Sequence, residues 1–174
     1  MNRRQFLVGA VAGAASMGIG SYALLATKVD KSQLTIDAAL QQIAVLKESH
    51  IKVTGTWSWP QILNHCAQSI ELSMHGYPAH KSALFKQSVG RLAFSVFSQR
   101  GEMVHNLSEP IPGAGLLLKD ADLNQAYQRI ETALHIFKHY PGALAEHFAY
   151  GKLSKAEYEQ AHVMHIYNHM STIV

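Results

Sequence analysis

Apolar residues recur three or four positions apart along most of this chain, which is the period of a helix with one buried face. Ile36, Leu40, Ile43 and Leu46 predict a first helix from about Thr35 to Ser49. A second begins after Ser58, a good N-cap, with Pro60 tolerated in its first turn. It carries Ile62, Leu63, Ile70 and Met74 and stops near Gly76-Tyr77-Pro78. A third helical stretch covers about Lys81 to Arg100, with Gly90 inside it at a small cost in stability. The segment Gly101–Ala121 holds Pro110, Pro112, Gly113 and Gly115 and is predicted to be loop. A fourth helix follows Asp122, with Gln125 three residues on as a capping-box pattern, and ends at Tyr140-Pro141-Gly142. The last starts at the second capping box, Ser154 to Glu157, and runs almost to the C-terminus. No stretch alternates with the period of a strand and no repeat is visible, so the fold class is all-α.

The first 28 residues follow another pattern. Arg3-Arg4-Gln5-Phe6-Leu7 precedes an uncharged, Gly/Ala-rich run to Ala26, and Lys28 follows. A short basic start before a moderately apolar stretch is an export pattern. It resembles the twin-arginine signal, which implies the twin-arginine translocation machinery as a partner and an exported protein. A plain membrane helix is the competing reading, because Phe6–Ala26 is just long enough to span a bilayer. Leu24-Leu25-Ala26 is a poor cleavage site, so the segment is read as a signal or a retained anchor. The domain plan is therefore 1–28 as signal or anchor and 29–174 as the helical domain. The protein is expected in the periplasm, or held on the inner membrane facing it, with membrane contact only through the N-terminal segment.

Composition narrows the chemistry. At 174 residues, 48% hydrophobic and 16% charged, the chain supports one domain with a real core. Fifteen Lys+Arg against 12 Asp+Glu leave +3, too little and too scattered for nucleic acid. A single cysteine excludes an intrachain disulfide and a Cys-rich zinc site. Histidine is the outlier, at 11 residues.

Three of these, His162, His165 and His169, form a narrow stripe on the last helix, at the border of its apolar arc. Residues i and i+4 project side by side, so His165 and His169 can reach one metal ion. A third ligand must come from another helix, and His65 is the best candidate. Cys66 lies about 100° around that helix and is read as a small buried hydrophobe. His135 and His139 are also four apart, but they sit in the last turns of a helix, where the dipole favours a cation without a metal. His50, His75, His80 and His105 lie near helix ends or in loops and are expected in solvent. Trp57 and Trp59 are expected as packing anchors. The chain has no H-E-x-x-H, G-x-S-x-G, P-loop or G-x-G-x-x-G motif.

Several strings resemble the DinB/YfiT-like superfamily of metal-dependent bundles. Thr56-Trp57-Ser58-Trp59-Pro60-Gln61-Ile62-Leu63-Asn64-His65 looks like the opening of its second helix. Ala161-His162-Val163-Met164-His165-Ile166-Tyr167-Asn168-His169 looks like its last helix. His147-Phe148-Ala149-Tyr150-Gly151-Lys152-Leu153-Ser154, with Gly76-Tyr77-Pro78 and Ile111-Pro112-Gly113-Ala114, resembles an uncharacterised branch of it, a domain of unknown function. The resemblance implies an up-down-down-up four-helix bundle, with residues 76–121 and their extra helix as the long crossover. It implies His65, His165 and His169 as the metal triad, with zinc, nickel and ferrous iron not distinguishable. Related branches often carry His-His where this chain has Asn168-His169, which implies that a supporting role there is lost. His147, His162 and Tyr158 are pocket-lining candidates.

Relatives include thiol-dependent transferases and isomerases, so the resemblance implies a metal that activates water or a thiol, as in a hydrolase or transferase, acting on a small-molecule substrate. The alternative is a non-catalytic periplasmic metal-binding or scaffold protein, kept open because Glu157 and Glu159 look like capping and solvated residues rather than a general base. A third reading leaves the histidines packed and metal-free. A homodimer is the candidate assembly.

Overall fold

A computed structural model describes residues 31–174; the signal-like segment 1–28 lies outside them. Among the described residues the fold is helical, without strands. A 3₁₀ turn (Lys31–Gln33) leads into α1 (Ile36–Lys47), followed by α2 (Trp59–His75), α3 (Ala83–Phe85), α4 (Arg91–Arg100), α5 (Leu123–His139) and α6 (Lys155–Met170). None of these helices is long and apolar enough to cross a membrane.

Local chemistry sets most of the helix starts. Thr35 caps α1 by accepting from the Ala38 N–H. Ser58 and Gln61 form a reciprocal capping box at α2, with Pro60 in its first turn. Ser154 and Glu157 do the same at α6. At α5 only half of the expected box forms, Asp122 accepting from the Gln125 N–H at 2.8 Å. The predicted third helix is not uniform, because α3 and α4 are joined by a π-helical segment, Lys86–Gly90. A Cβ at Gly90 would collide with the Ala149 carbonyl, so glycine there admits the 147–151 loop against the helix.

The core is built from one face of each long helix. Ile36, Ala39 and Ile43 of α1, Ile62, Leu63, Ala67 and Ile70 of α2, Ile130, Leu134 and Phe137 of α5, and Val163 and Ile166 of α6 are all buried. Cys66 is buried among them, as its position on the apolar face requires. Polar pairs mark which ends meet. Trp59 at the start of α2 donates to the Tyr127 hydroxyl near the start of α5 at 2.8 Å. Lys138 near the end of α5 pairs with Asp37 at the start of α1, and Lys47 at the end of α1 with Glu131. Glu159, early in α6, accepts from the Ile36 N–H at 2.9 Å. It caps α1 and is half-buried, not solvated as the sequence suggested.

The start of α2 and the end of α6 share one end of the molecule. There the C-terminal residues return along the segment before α2, with Val53 bridging Ile173 and Thr54 N–H donating to the Thr172 carbonyl at 2.9 Å. That end carries the candidate site.

Candidate metal centre

Two helices and one loop deliver four imidazoles to one point. His65 comes from the second turn of α2, His165 and His169 from the last turns of α6, and His105 from the loop after α4. One ring nitrogen from each lies within 4.8 Å of the other three. His65 Nε2 and His165 Nε2 are 3.2 Å apart. The edge of a tetrahedral four-nitrogen site is about 3.4 Å for metal–nitrogen bonds near 2.0–2.1 Å, so the cluster needs only small ring movements to close on an ion.

Electrostatics hold the rings neutral, which is the state that ligates. Burial, then the nearby His105, pushes His65 down to about 4. Burial pushes His165 and His169 well below the ordinary value, and the other imidazoles of the cluster add to it. His105 is lowered too, burial outweighing the opposing pull of Glu109.

Hydrogen bonding then distinguishes a ligand set from a packed core. His65 Nδ1, His105 Nε2 and both ring nitrogens of His169 are buried with no partner among the described residues. An unsatisfied buried polar atom costs about 1–3 kcal/mol, and three of the four clustered rings carry at least one such nitrogen, so the rings have ligating capacity that the fold does not use. Among the described residues no carboxylate belongs to the cluster. The donor set, all imidazole, fits a first-row transition metal and does not suit calcium or magnesium.

Trp57 forms a wall of the site. Its ring stacks on His169 at 6.0 Å and 6°, and meets His65 edge-on at 4.8 Å. Trp59 is the packing anchor that the sequence suggested, 5% exposed; Trp57 belongs to the cluster instead.

Two sequence expectations need correcting here. His105 is not a solvated loop histidine but half-buried, 4.9 Å from His165 and 5.1 Å from His169 between ring centres. Its loop lies outside any helical period, so spacing carried no signal for it. Asn168 has a supporting role after all. With its carboxamide turned so that both ends are satisfied, its oxygen accepts from His105 Nδ1 at 2.7 Å and from the His105 N–H at 3.3 Å, and its nitrogen donates to the Met103 carbonyl at 3.2 Å.

The structure does not bring His162, His147 and Tyr158 to the cluster. His162 shares the stripe by rotation, but it stands a helical turn below His165, on the order of 1.5 Å per residue along the axis. It lies against Phe137 and Tyr158 and hydrogen-bonds Ser73 Oγ at 3.1 Å. His147 Nδ1 accepts from the Ala149 and Tyr150 N–H groups at 3.1 Å each. The Tyr158 hydroxyl donates to the Ala145 carbonyl at 2.9 Å. His135 and His139 are exposed, as are His50, His75 and His80. Glu157 caps α6 and pairs with Arg91 at 2.9 Å.

No curated protein and no solved structure matches the chain. A family model described as a protein of unknown function (DUF1569) matches residues 28–174, and the chain belongs to that family.

Proposed function

We propose that this protein binds one divalent transition metal through the imidazoles of His65, His165 and His169, with His105 beside them. The observation that carries the reading is the convergence of four imidazoles, one ring nitrogen of each within 4.8 Å of the others, in which three rings keep a buried nitrogen without a partner among the described residues. Zinc, nickel and ferrous iron all suit such ligands. The metal would supply Lewis acidity, lowering the pKa of bound water or of a thiol. The chain's own residues hold the rings neutral by burial and orient them through Trp57, stacked on His169, and Asn168, bonded to His105.

The catalytic version, a hydrolase or transferase acting on a small molecule, competes with a non-catalytic metal-binding or scaffold role. The all-imidazole make-up of the cluster, with no carboxylate among the described residues, favours the second. Glu157 and Glu159 are both committed to helix caps, which leaves neither free as a general base. We also read α1, α2, α5 and α6 as the up-down-down-up four-helix bundle of the DinB-like superfamily, supported by the meeting of helix ends described above. Export by the twin-arginine route, a periplasmic or membrane-anchored location and a homodimer belong to the same proposal and rest on the sequence.

Metal analysis of the untagged full-length protein tests the reading. About one equivalent of a first-row transition metal is expected. Protein that is metal-free after growth with zinc, nickel and iron supplied would overturn it.

A further inference from the structure

Three other features of the molecule offer no open ligand site. The Ser73–His162 pair is fully enclosed, and the Ser73 hydroxyl is spent on the Ile70 carbonyl at 2.6 Å. The groove beside Glu71 and Arg129 is lined by a satisfied bidentate ion pair. Leu84, Val89, Leu92 and Val96 leave an apolar stripe exposed along α3 and α4, with nothing to say what covers it. The loop histidine carries more.

We propose that His105 is the fourth ligand of the metal centre and that Asn168 is its positioning residue, so that the centre is closed by four imidazoles instead of keeping one position open. The inference rests on the metal reading above and adds which residues complete the site. His105 Nε2 is buried, unpartnered and part of the converging group. Its other nitrogen, Nδ1, is engaged by the Asn168 oxygen at 2.7 Å. A carboxamide oxygen can only accept, so the proton of the neutral ring sits on Nδ1 and the lone pair on Nε2 points to the cluster.

Asn168 also grips the backbone leading into the ring, through the His105 N–H and the Met103 carbonyl. It directly precedes His169, so the helical turn that carries one ligand holds the loop that carries another. Met103 is buried at 7% exposure, and the Thr56 and Ser108 hydroxyls meet at 2.7 Å, tying the same loop to the segment that bears Trp57. An external ligand would therefore reach the ion by displacing His105.

The test uses the untagged full-length protein loaded with cobalt(II) and read by its visible spectrum. The wild-type spectrum should not respond to azide. His105→Ala should keep the ion with at least tenfold weaker affinity and respond to azide, and added imidazole should return its spectrum toward that of the wild type. Asn168→Ala should become azide-sensitive with its thermal melt little changed, and Asn168→Asp, whose carboxylate accepts from Nδ1 but cannot donate to the Met103 carbonyl, should restore part of the wild-type response. A wild-type spectrum that azide already shifts, or a His105→Ala spectrum and affinity identical to wild type, would overturn the inference and leave the metal reading standing. A wild-type chain that takes up no cobalt would overturn the metal reading, and this inference with it.

Discussion

Two groups of buried histidines gather around different levels of α6, and they have opposite fates. His162, and His147 from the loop before α6, lie 2% and 7% exposed. His65 and His169 are buried as deeply, at 2% and 1%. Burial drives all four below the ordinary imidazole value. What separates them is where the ring nitrogens go. His162 meets the Ser73 hydroxyl and His147 receives two backbone N–H groups, so these rings are spent on the fold. His65 and His169 instead each keep a nitrogen without a partner among the described residues, and one nitrogen of each lies within 4.8 Å of the other rings of the cluster. Burial and a depressed pKa alone therefore do not identify a ligand; convergence of unspent lone pairs does.

The sharpest way to break that contrast is single substitution in each group. His65→Ala, His165→Ala and His169→Ala should each take metal occupancy from one equivalent to background, measured by elemental analysis. His162→Ala should keep the metal but lose about 3 kcal/mol of stability, the scale for emptying a large core position, read by denaturant melts. If His162→Ala released the ion and His169→Ala kept it, the two groups would have been assigned the wrong way round.

Metal removal should separate them next. Chelation should lower the melting temperature of the wild type, and zinc at about a thousandfold its Kd should restore roughly 4 kcal/mol. The same chelation should leave the melt of His169→Ala unmoved.

Acid gives a smaller effect, and it belongs to the packed group. His147 and His162 titrate near 3 in the folded chain, against an ordinary value of 6.5, because burial disfavours the imidazolium. Between those limits the unfolded chain binds more protons. Their stabilisation is therefore complete above about pH 6.5 and drains away as pH falls toward 3. In metal-free protein, His162→Leu should flatten that decline by about 1.4 kcal/mol per pH unit, the worth of one proton. An unchanged slope would show that His162 is already protonated in the fold.

The smallest effects come from the periphery. Trp57→Phe should abolish most of the fluorescence quenching by bound cobalt while occupancy stays the same, since Trp57 is the indole in ring contact with His65 and His169 and Trp59 meets Tyr127 instead. His135→Ala, at an exposed position, should change neither occupancy nor melt beyond error.

Much of this protein was legible before any coordinate. Helix positions followed from the period of Ile36, Ile43, Ile62, Ile70 and their neighbours, because burying one face of a helix is a local demand written at fixed spacing. The caps at Ser58 and Ser154 were equally plain, since they satisfy N–H groups three residues away. The His165–His169 pair could be seen for the same reason, and His65, early in the second helix, was the candidate third ligand that the resemblance also implied. What only the tertiary structure decided lies across long separations in the chain. His105 joins the cluster from a loop, where no period constrains it. Asn168 gains its role only because that loop folds back on α6, and Glu159 gains its own by meeting the bare start of α1. The stripe of His162, His165 and His169 showed the direction each ring takes around the axis but not its depth along the neighbouring helices. Depth decided which imidazole meets Ser73 and which meets another imidazole, and it is set by how whole helices pack.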